Sequence, residues 1–463
     1  MSNPGDTDAT PITSARQLAD YIAEGCKPKE AFRIGTEHEK FGFRSADLMP
    51  PPYAPDGIRA LLEGMEGSDW SAIDDSGNPI GLKGQGAEHD GASVSLEPAG
   101  QLELSGAPLE TLHETRAEFD AHFAHVRAVA EPLGLGFIPL GFHPTMKRDE
   151  MPWMPKGRYA IMRRYMPLVG QRGLDMMTRT CTVQVNLDYA SETEMVRKLR
   201  VALLLQPLAT ALFANSPFTE GRPNGMQSAR AEVWTDVDNE RSGIPSVFFE
   251  DGFGFERYVE WLLDTPMYFV HRQGRYIDVA GKSFRDFMAG RLGGTGLGGT
   301  GLGEATVGDF GDHMTTVFTD VRLKRFLEMR GADAGSPEMM LAQSALWVGL
   351  LYDDAALVAV EALIAGYNPQ DFLSLRPVVP RLGLSAKWGR GTLRDLAREV
   401  VAIAKDGLRA RARLDKTGED ETSYLAPLEK ISEGELSQAE KWLERYNGEW
   451  NGDITRIFRY AVC

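Results

Sequence analysis

Glu37 and Glu39 stand one residue apart in Phe32-Arg33-Ile34-Gly35-Thr36-Glu37-His38-Glu39-Lys40-Phe41-Gly42-Phe43. In an extended strand, positions two apart project from the same face, so the two carboxylates lie side by side while His38 points away. Two such charges repel. A solvated strand face is the commoner setting for a Glu pair, but Ile34, Phe41 and Phe43 give this run a buried character. A hard cation resolves the conflict: carboxylates suit Mg²⁺, which keeps waters and shares its other positions with substrate phosphates. A second acidic run spans Ser95 to Ser105, where Gln101, Glu103 and Ser105 share a face and Leu102 and Leu104 turn to the core. In a third, Thr182, Gln184, Asn186 and Asp188 form a polar row opposite Val183, Val185 and Leu187. A single polar row is most simply explained by solvent. Three rows bearing acids and amides point instead to a wet cavity able to hold metal.

The elements that must position these rows are of mixed type. Ser14 to Glu24 has an N-cap and helical spacing; 32–43, 93–105, 136–142 and 180–189 read as strands. Helical stretches at 109–130 and 192–214 separate them, and the apolar run Val201 to Ala214 is a buried helix, too short to cross ~30 Å of hydrocarbon. Strands this far apart, without a regular strand–helix rhythm, predict an α+β fold with an antiparallel sheet. The chain is expected to be a single catalytic domain over 1–463: a disordered start at 1–13, the sheet and active site at 32–336, and a mainly helical part at 337–463. Amphipathic runs at 341–366, 392–414 and 437–447 define that last part. Gly290 to Gly303 is expected to be a mobile loop. Its Gly294, Gly296 and Gly299 match a dinucleotide fingerprint by composition alone, without the flanking strand and helix. Gly281-Lys282-Ser283 lacks the earlier glycine of a phosphate-binding loop, Tyr276 standing in its place.

Composition narrows the partners. A net charge of −16 opposes binding to nucleic acid or anionic membranes. A nucleotide ligand would therefore need metal ions and local arginines to offset its phosphates. Three scattered cysteines, Cys26, Cys181 and Cys463, suggest neither a disulfide framework nor a thiolate metal site. With a polar N-terminus lacking secretory or transit character, they lead to the expectation of a cytoplasmic protein.

Longer motifs carry a resemblance. Gly35 to Phe43, Ser95-Leu96-Glu97-Pro98 with Gly100 to Gly106, Arg179 to Asp188, Ala214 to Phe218, Trp234-Thr235-Asp236, and Val321 to Asp333 resemble the glutamate–cysteine ligases of plants and proteobacteria. The likeness runs from about Phe32 to Leu396. It implies a glutamine synthetase-like sheet curled into a funnel with surrounding helices. It also implies that ATP phosphorylates the γ-carboxylate of L-glutamate and that the amine of L-cysteine displaces phosphate, the first step of glutathione biosynthesis. Glu37, Glu39, Glu103 and Glu328 resemble the family's Mg²⁺ ligands, with Glu97 beside them, for roughly two or three ions. Arg330 matches the arginine that stabilises the transferring phosphoryl group; a salt bridge to Glu328 is its plainer explanation. Arg158 and Arg230 resemble substrate-pocket arginines, whose fork fits a carboxylate, with Tyr268 near them. Gln184 falls where more distant ligases of this superfamily carry a metal-binding histidine, and the resemblance implies that it and Asn186 are substrate-binding, towards water or nucleotide. Arg179, Trp234, Arg241 and Trp347 are further pocket candidates. Plant members carry additional cysteines that form regulatory disulfides, and three cysteines cannot form two bridges.

Other readings stay open on the sequence. One is a related carboxylate–amine ligase using another amine or feeding ergothioneine. A non-catalytic scaffold would have lost its acidic ligands, and none is missing. A dinucleotide-dependent oxidoreductase would need a strand before the glycines.

Overall fold

The computed structural model describes residues 8–87, 89–292 and 302–462. Alternating side chains build nine strands of one sheet: β1 (Ile34–Arg44), β2 (Trp70–Asp75), β3 (Asn78–Gly84), β4 (Ser93–Leu96), β5 (Leu102–Ser105), β6 (Leu135–Ile138), β7 (Thr182–Leu187), β8 (Val321–Leu323) and β9 (Leu327–Asp333). The order is β8-β9-β7-β1-β5-β4-β3-β2, every pairing is antiparallel, and β6 joins the far half of β1. Mixed helices and an antiparallel sheet are as expected. The sheet is open, with β8 and β2 at its two ends, so it is not a closed barrel.

Register decides which side chains meet. Glu37 lies opposite Gln184 and Ser105, Glu39 opposite Glu103, and Glu328 opposite Asn186 and Arg322. Directly opposed side chains share a face, so one face of β5, β1, β7 and β9 gathers acids, amides and arginine. The alternate positions Val183, Val185, Leu187, Leu327 and Met329 are buried on the other face.

Six helices support the sheet and its polar face: α1 (Leu112–Ala130), α2 (Gly157–Val169), α3 (Glu192–Leu212), α4 (Ala229–Val233), α5 (Pro337–Leu351) and α6 (Leu393–Arg411). Helix α5 is buried from Met339 to Leu351 and packs against β7, β1 and α6. A helix apolar on all sides belongs at the centre of a core. Thr36 and Ser344 join it to β1 through a hydroxyl–hydroxyl bond of 2.8 Å.

Three expectations change. The strand read over 93–105 is a hairpin, because Pro98 lacks an N–H and Gly100 adopts a φ of +83°, which breaks the ladder into a turn. The helical run 341–366 is two helices, the second beginning at Asp354 with Asp353 as its N-cap. Thr10 and Ile12, read as part of a disordered start at 1–13, are hydrogen-bonded: Ile12 N donates to Ala305 O, and Thr10 O accepts from Val307 N. Residues 1–7, and most of the glycine loop with its dinucleotide-like spacing, lie outside the described residues.

Candidate active site

Glu39 from the middle of β1, Glu103 from β5 and Glu97 from the β4–β5 turn meet behind a cavity of about 510 Å³. One oxygen of each carboxylate lies within 4.8 Å of the others, and all three residues are buried. The hairpin is what makes this possible: the turn folds Glu97 back towards the strand that carries Glu103. Ser95 Oγ donates to Glu103 at 2.8 Å, and the Thr182 amide donates to Glu39 at 3.0 Å. Burial, reinforced by Glu97 and Glu103, pushes the Glu39 acid well above the usual carboxylate range. Burial and then Glu103 raise Glu97 to about 7. Such a set is held ionised only if positive charge is supplied.

Glu37 and Glu328 are placed differently. Glu37 accepts from Asn186 Nδ2 at 2.7 Å and Gln184 Nε2 at 3.3 Å. Glu328, fully buried, receives both arms of the Arg322 guanidinium at 2.5 and 2.9 Å, Lys324 at 3.3 Å and Arg330 at 3.0 Å. Burial alone would raise its pKa, but Arg322, Lys324 and Arg330 outweigh that and hold it well below the usual range. Of the expected ligands, Glu39 and Glu103 gather with Glu97, Glu37 is held by Asn186 and Gln184, and Glu328 is paired with Arg322, Lys324 and Arg330.

Arginines complete the wall. Arg330 lines the cavity and donates to Gln184 Oε1 as well as to Glu328, so the salt bridge and a place at the site coexist. Arg230, on α4, donates from Nη2 to Arg330 O at 2.8 Å and lines the same cavity. Its helix is pinned by Asp333 at the end of β9, which accepts from Ser216 Oγ (2.6 Å), Ser228 Oγ (2.8 Å) and the Asn215 amide (2.8 Å). An adjoining cavity of about 490 Å³ shares Arg230, Trp234, Phe318 and Arg330 with the first and adds the Asp320–Arg376 ion pair.

The remaining candidates divide. Arg158 is buried on the first turn of α2, stacked over Phe269 at 4.9 Å, and its charge is felt by Glu97. Tyr268 does not line the cavity: its hydroxyl donates to Asp238 at 3.2 Å, and Arg241 stacks on its ring at 3.9 Å. Arg179 pairs with Asp175 and Glu220, and Trp347 is buried within α5; of the four further pocket candidates only Trp234 reaches the wall. Sequence reasoning gave no role to Arg322, Lys156 or Phe318. Arg322 carried a signal, since it stands six positions before Glu328 across a short hairpin. Lys156, buried beside Glu97 and Glu103, has an ammonium that burial lowers to about 8. Among the described cysteines, Cys26 and Cys181 are both free thiols.

The antiparallel sheet presents buried acids and arginines to one cavity. A solved glutamate–cysteine ligase from Francisella tularensis, in complex with AMP, superposes with a TM-score of 0.54 at 11% identity, covering 92% of this chain and 88% of that one. That likeness concerns the fold. Residues 33–460 match the family described as glutamate–cysteine ligase family 2, and the chain belongs to that family. Chloroplastic glutamate–cysteine ligases from Arabidopsis thaliana and Nicotiana tabacum are each 50% identical over 451 residues, 97% of this chain and 83% of theirs. One from Oryza sativa subsp. japonica is 49% identical over 450 residues, 97% of this chain and 87% of its own. Their chloroplastic names overturn the cytoplasmic location expected from the polar N-terminus and the few cysteines.

Proposed function

We infer that this chain is an ATP-dependent glutamate–cysteine ligase, which joins L-cysteine to the γ-carboxylate of L-glutamate to give γ-glutamylcysteine for glutathione synthesis. The observation that carries the reading is the gathering of Glu39, Glu97 and Glu103 beside Arg230 and Arg330, in a chain half identical to enzymes of that name. Oxygen donors this close and this buried fit a hard divalent cation, which relieves their mutual repulsion while leaving them ionised. Glu39, Glu97 and Glu103 would hold Mg²⁺, which when bound neutralises the phosphate oxygens of ATP and polarises the transferring phosphoryl group. Glu37, steadied by Gln184 and Asn186, flanks this set. A second ion at Glu328 would have to compete with Arg322, so one ion is best supported.

In the first step a γ-carboxylate oxygen of glutamate attacks the terminal phosphorus of ATP, forming γ-glutamyl phosphate and releasing ADP. Arg330, anchored by Glu328 and Gln184, offers its remaining N–H groups to the equatorial oxygens of that phosphoryl group. Arg230 and Arg158 hold the α-carboxylate of glutamate; Tyr268 is tied instead to Asp238 and Arg241. In the second step the free amine of cysteine attacks the acyl carbon, the C–O bond breaks, and phosphate leaves. The polar faces of β1, β5, β7 and β9 converge on one cavity, and we read the open sheet as a funnel around it.

Phosphate release from ATP with Mg²⁺ and glutamate, with and without cysteine, tests the reading. Release should require both amino acids and fall by about 100-fold or more in Glu39→Gln and in Arg330→Ala. Release with another amine but not with cysteine would keep the chemistry and overturn the substrate. Full activity in both variants would remove the site.

A further inference from the structure

The chain approaching α2 brings one more cation to Glu97, from outside the sheet. The start of α2 and the residues before it are held by two bonds to the β4–β5 hairpin and one to the end of β2. Met154 N donates to Pro98 O at 2.8 Å, Tyr159 Oη to Leu96 O at 2.5 Å, and Gly157 N to Asp75 Oδ2 at 2.7 Å. Lys156, the residue before the helix, is 2% exposed and lies 5.5 Å from the Tyr159 ring centroid. Its charge is felt by both Glu97 and Glu103. Yet its Nζ, with three N–H groups to offer, has no hydrogen-bond acceptor among the described residues.

A buried ammonium without an acceptor is costly, and a lysine kept solely as counter-ion would be expected to bond the carboxylate it neutralises. This one is held near two acids and bonded to neither. Flexibility does not explain it, since Gly157 and Tyr159 on the helix side are tied down. An oxygen arriving with substrate supplies the missing acceptor. We propose that Lys156 is a substrate-contacting residue, its Nζ donating to an anionic oxygen that a substrate places beside Glu97 and Glu103. The proposal rests on the ligase reading, which offers two sources of that oxygen: the α-carboxylate of glutamate and a terminal phosphate of ATP.

The test uses the full chain with Mg²⁺, measuring turnover while glutamate and ATP are varied in turn, for wild type, Lys156→Met and Lys156→Arg, with thermal melting to establish folding. A contact to the carboxylate raises the KM for glutamate about tenfold or more in Lys156→Met and leaves that for ATP within about twofold; a contact to phosphate does the reverse. Either result supports the proposal. Unchanged KM values for both, with only the Mg²⁺ requirement altered, would make Lys156 a counter-ion and overturn it. If Lys156→Met does not fold, Lys156→Arg decides. It keeps the charge but not the compact ammonium, so a contact predicts a raised KM and a counter-ion predicts the wild-type value. A wild-type protein that turns over neither substrate sinks the ligase reading itself. Active wild type with unaffected variants sinks only the role of Lys156.

Discussion

Glu39 and Glu328 project from the same polar face on either side of β7, yet burial has opposite consequences for them. Glu328 is enclosed by Arg322, Lys324 and Arg330, so removing its charge leaves a buried guanidinium without its partner. Glu328→Gln is therefore expected to lower stability by about 3–5 kcal/mol, read from urea denaturation in EDTA. Glu39 faces Glu97 and Glu103, and burial and those acids raise its pKa. Under the same metal-free conditions Glu39→Gln removes repulsion and should leave stability unchanged or raise it by about 1 kcal/mol. If both substitutions destabilise equally, the division of the acids into a cation-seeking set and a self-neutralised one is wrong. The family resemblance singled out Glu328, and alternation in the sequence placed Glu39 on a polar face. Alternation could not separate them, because a period of two gives the face and not the cross-strand partner, and Arg322 becomes the partner only through the β8–β9 register.

At the scale of elements, the polar face depends on what supports the apolar one, and that support is α5 backed by α6. The two helices touch at glycines: a Cβ built on Gly407 would lie 1.9 Å from Gly349 O, and one built on Gly349 would lie 2.2 Å from Ala404 O. Backbone against backbone leaves no flexible side chain to yield. Gly407→Ala should force the helices apart and cost about 2 kcal/mol or more, seen as a lower melting temperature, while KM values measured well below that temperature stay near wild type. An unchanged melting temperature would mean that the helices slide freely. The amphipathic pattern of 392–414 was enough to predict α6, found at Leu393–Arg411. The hairpin that delivers Glu97 was harder to foresee, since its two short strands share one alternating run and only Pro98 and Gly100 mark the break. The packing of α5 on α6 left no periodic trace, because a helix buried on every side has no polar face to show.

Across the whole molecule, a chain of net charge −16 keeps several histidines neutral in its interior. Burial lowers the pKa of His38, His122, His143 and His313, to about 3 for His143 and about 4 for His313. Their folded values lie below the ordinary 6.5, so the unfolded chain takes up protons first as pH falls. The stability they contribute is complete above pH 6.5 and is lost on the way down to about 4 and 3. Glu39, Glu97 and Glu118 act in the opposite sense: burial raises them, Glu97 and Glu118 to about 7, so the folded state gains protons that the unfolded carboxylates do not hold above pH 4.5. The two groups oppose each other between pH 6.5 and 4.5. Mg²⁺ bound by Glu39 and Glu97 would keep those acids ionised and remove most of the opposition. Stability should therefore fall more steeply from pH 6.5 to 5 with Mg²⁺ than in EDTA, as urea midpoints at each pH would record. His313 Nε2 donates to Leu262 O at 2.9 Å, and the ring stacks on Phe284. Because one pKa unit is worth about 1.4 kcal/mol, His313→Phe should recover roughly 2 kcal/mol of the loss at pH 5. Parallel curves in Mg²⁺ and EDTA would show that the ion does not draw on Glu39 and Glu97, and would move the metal away from the β4–β5 hairpin.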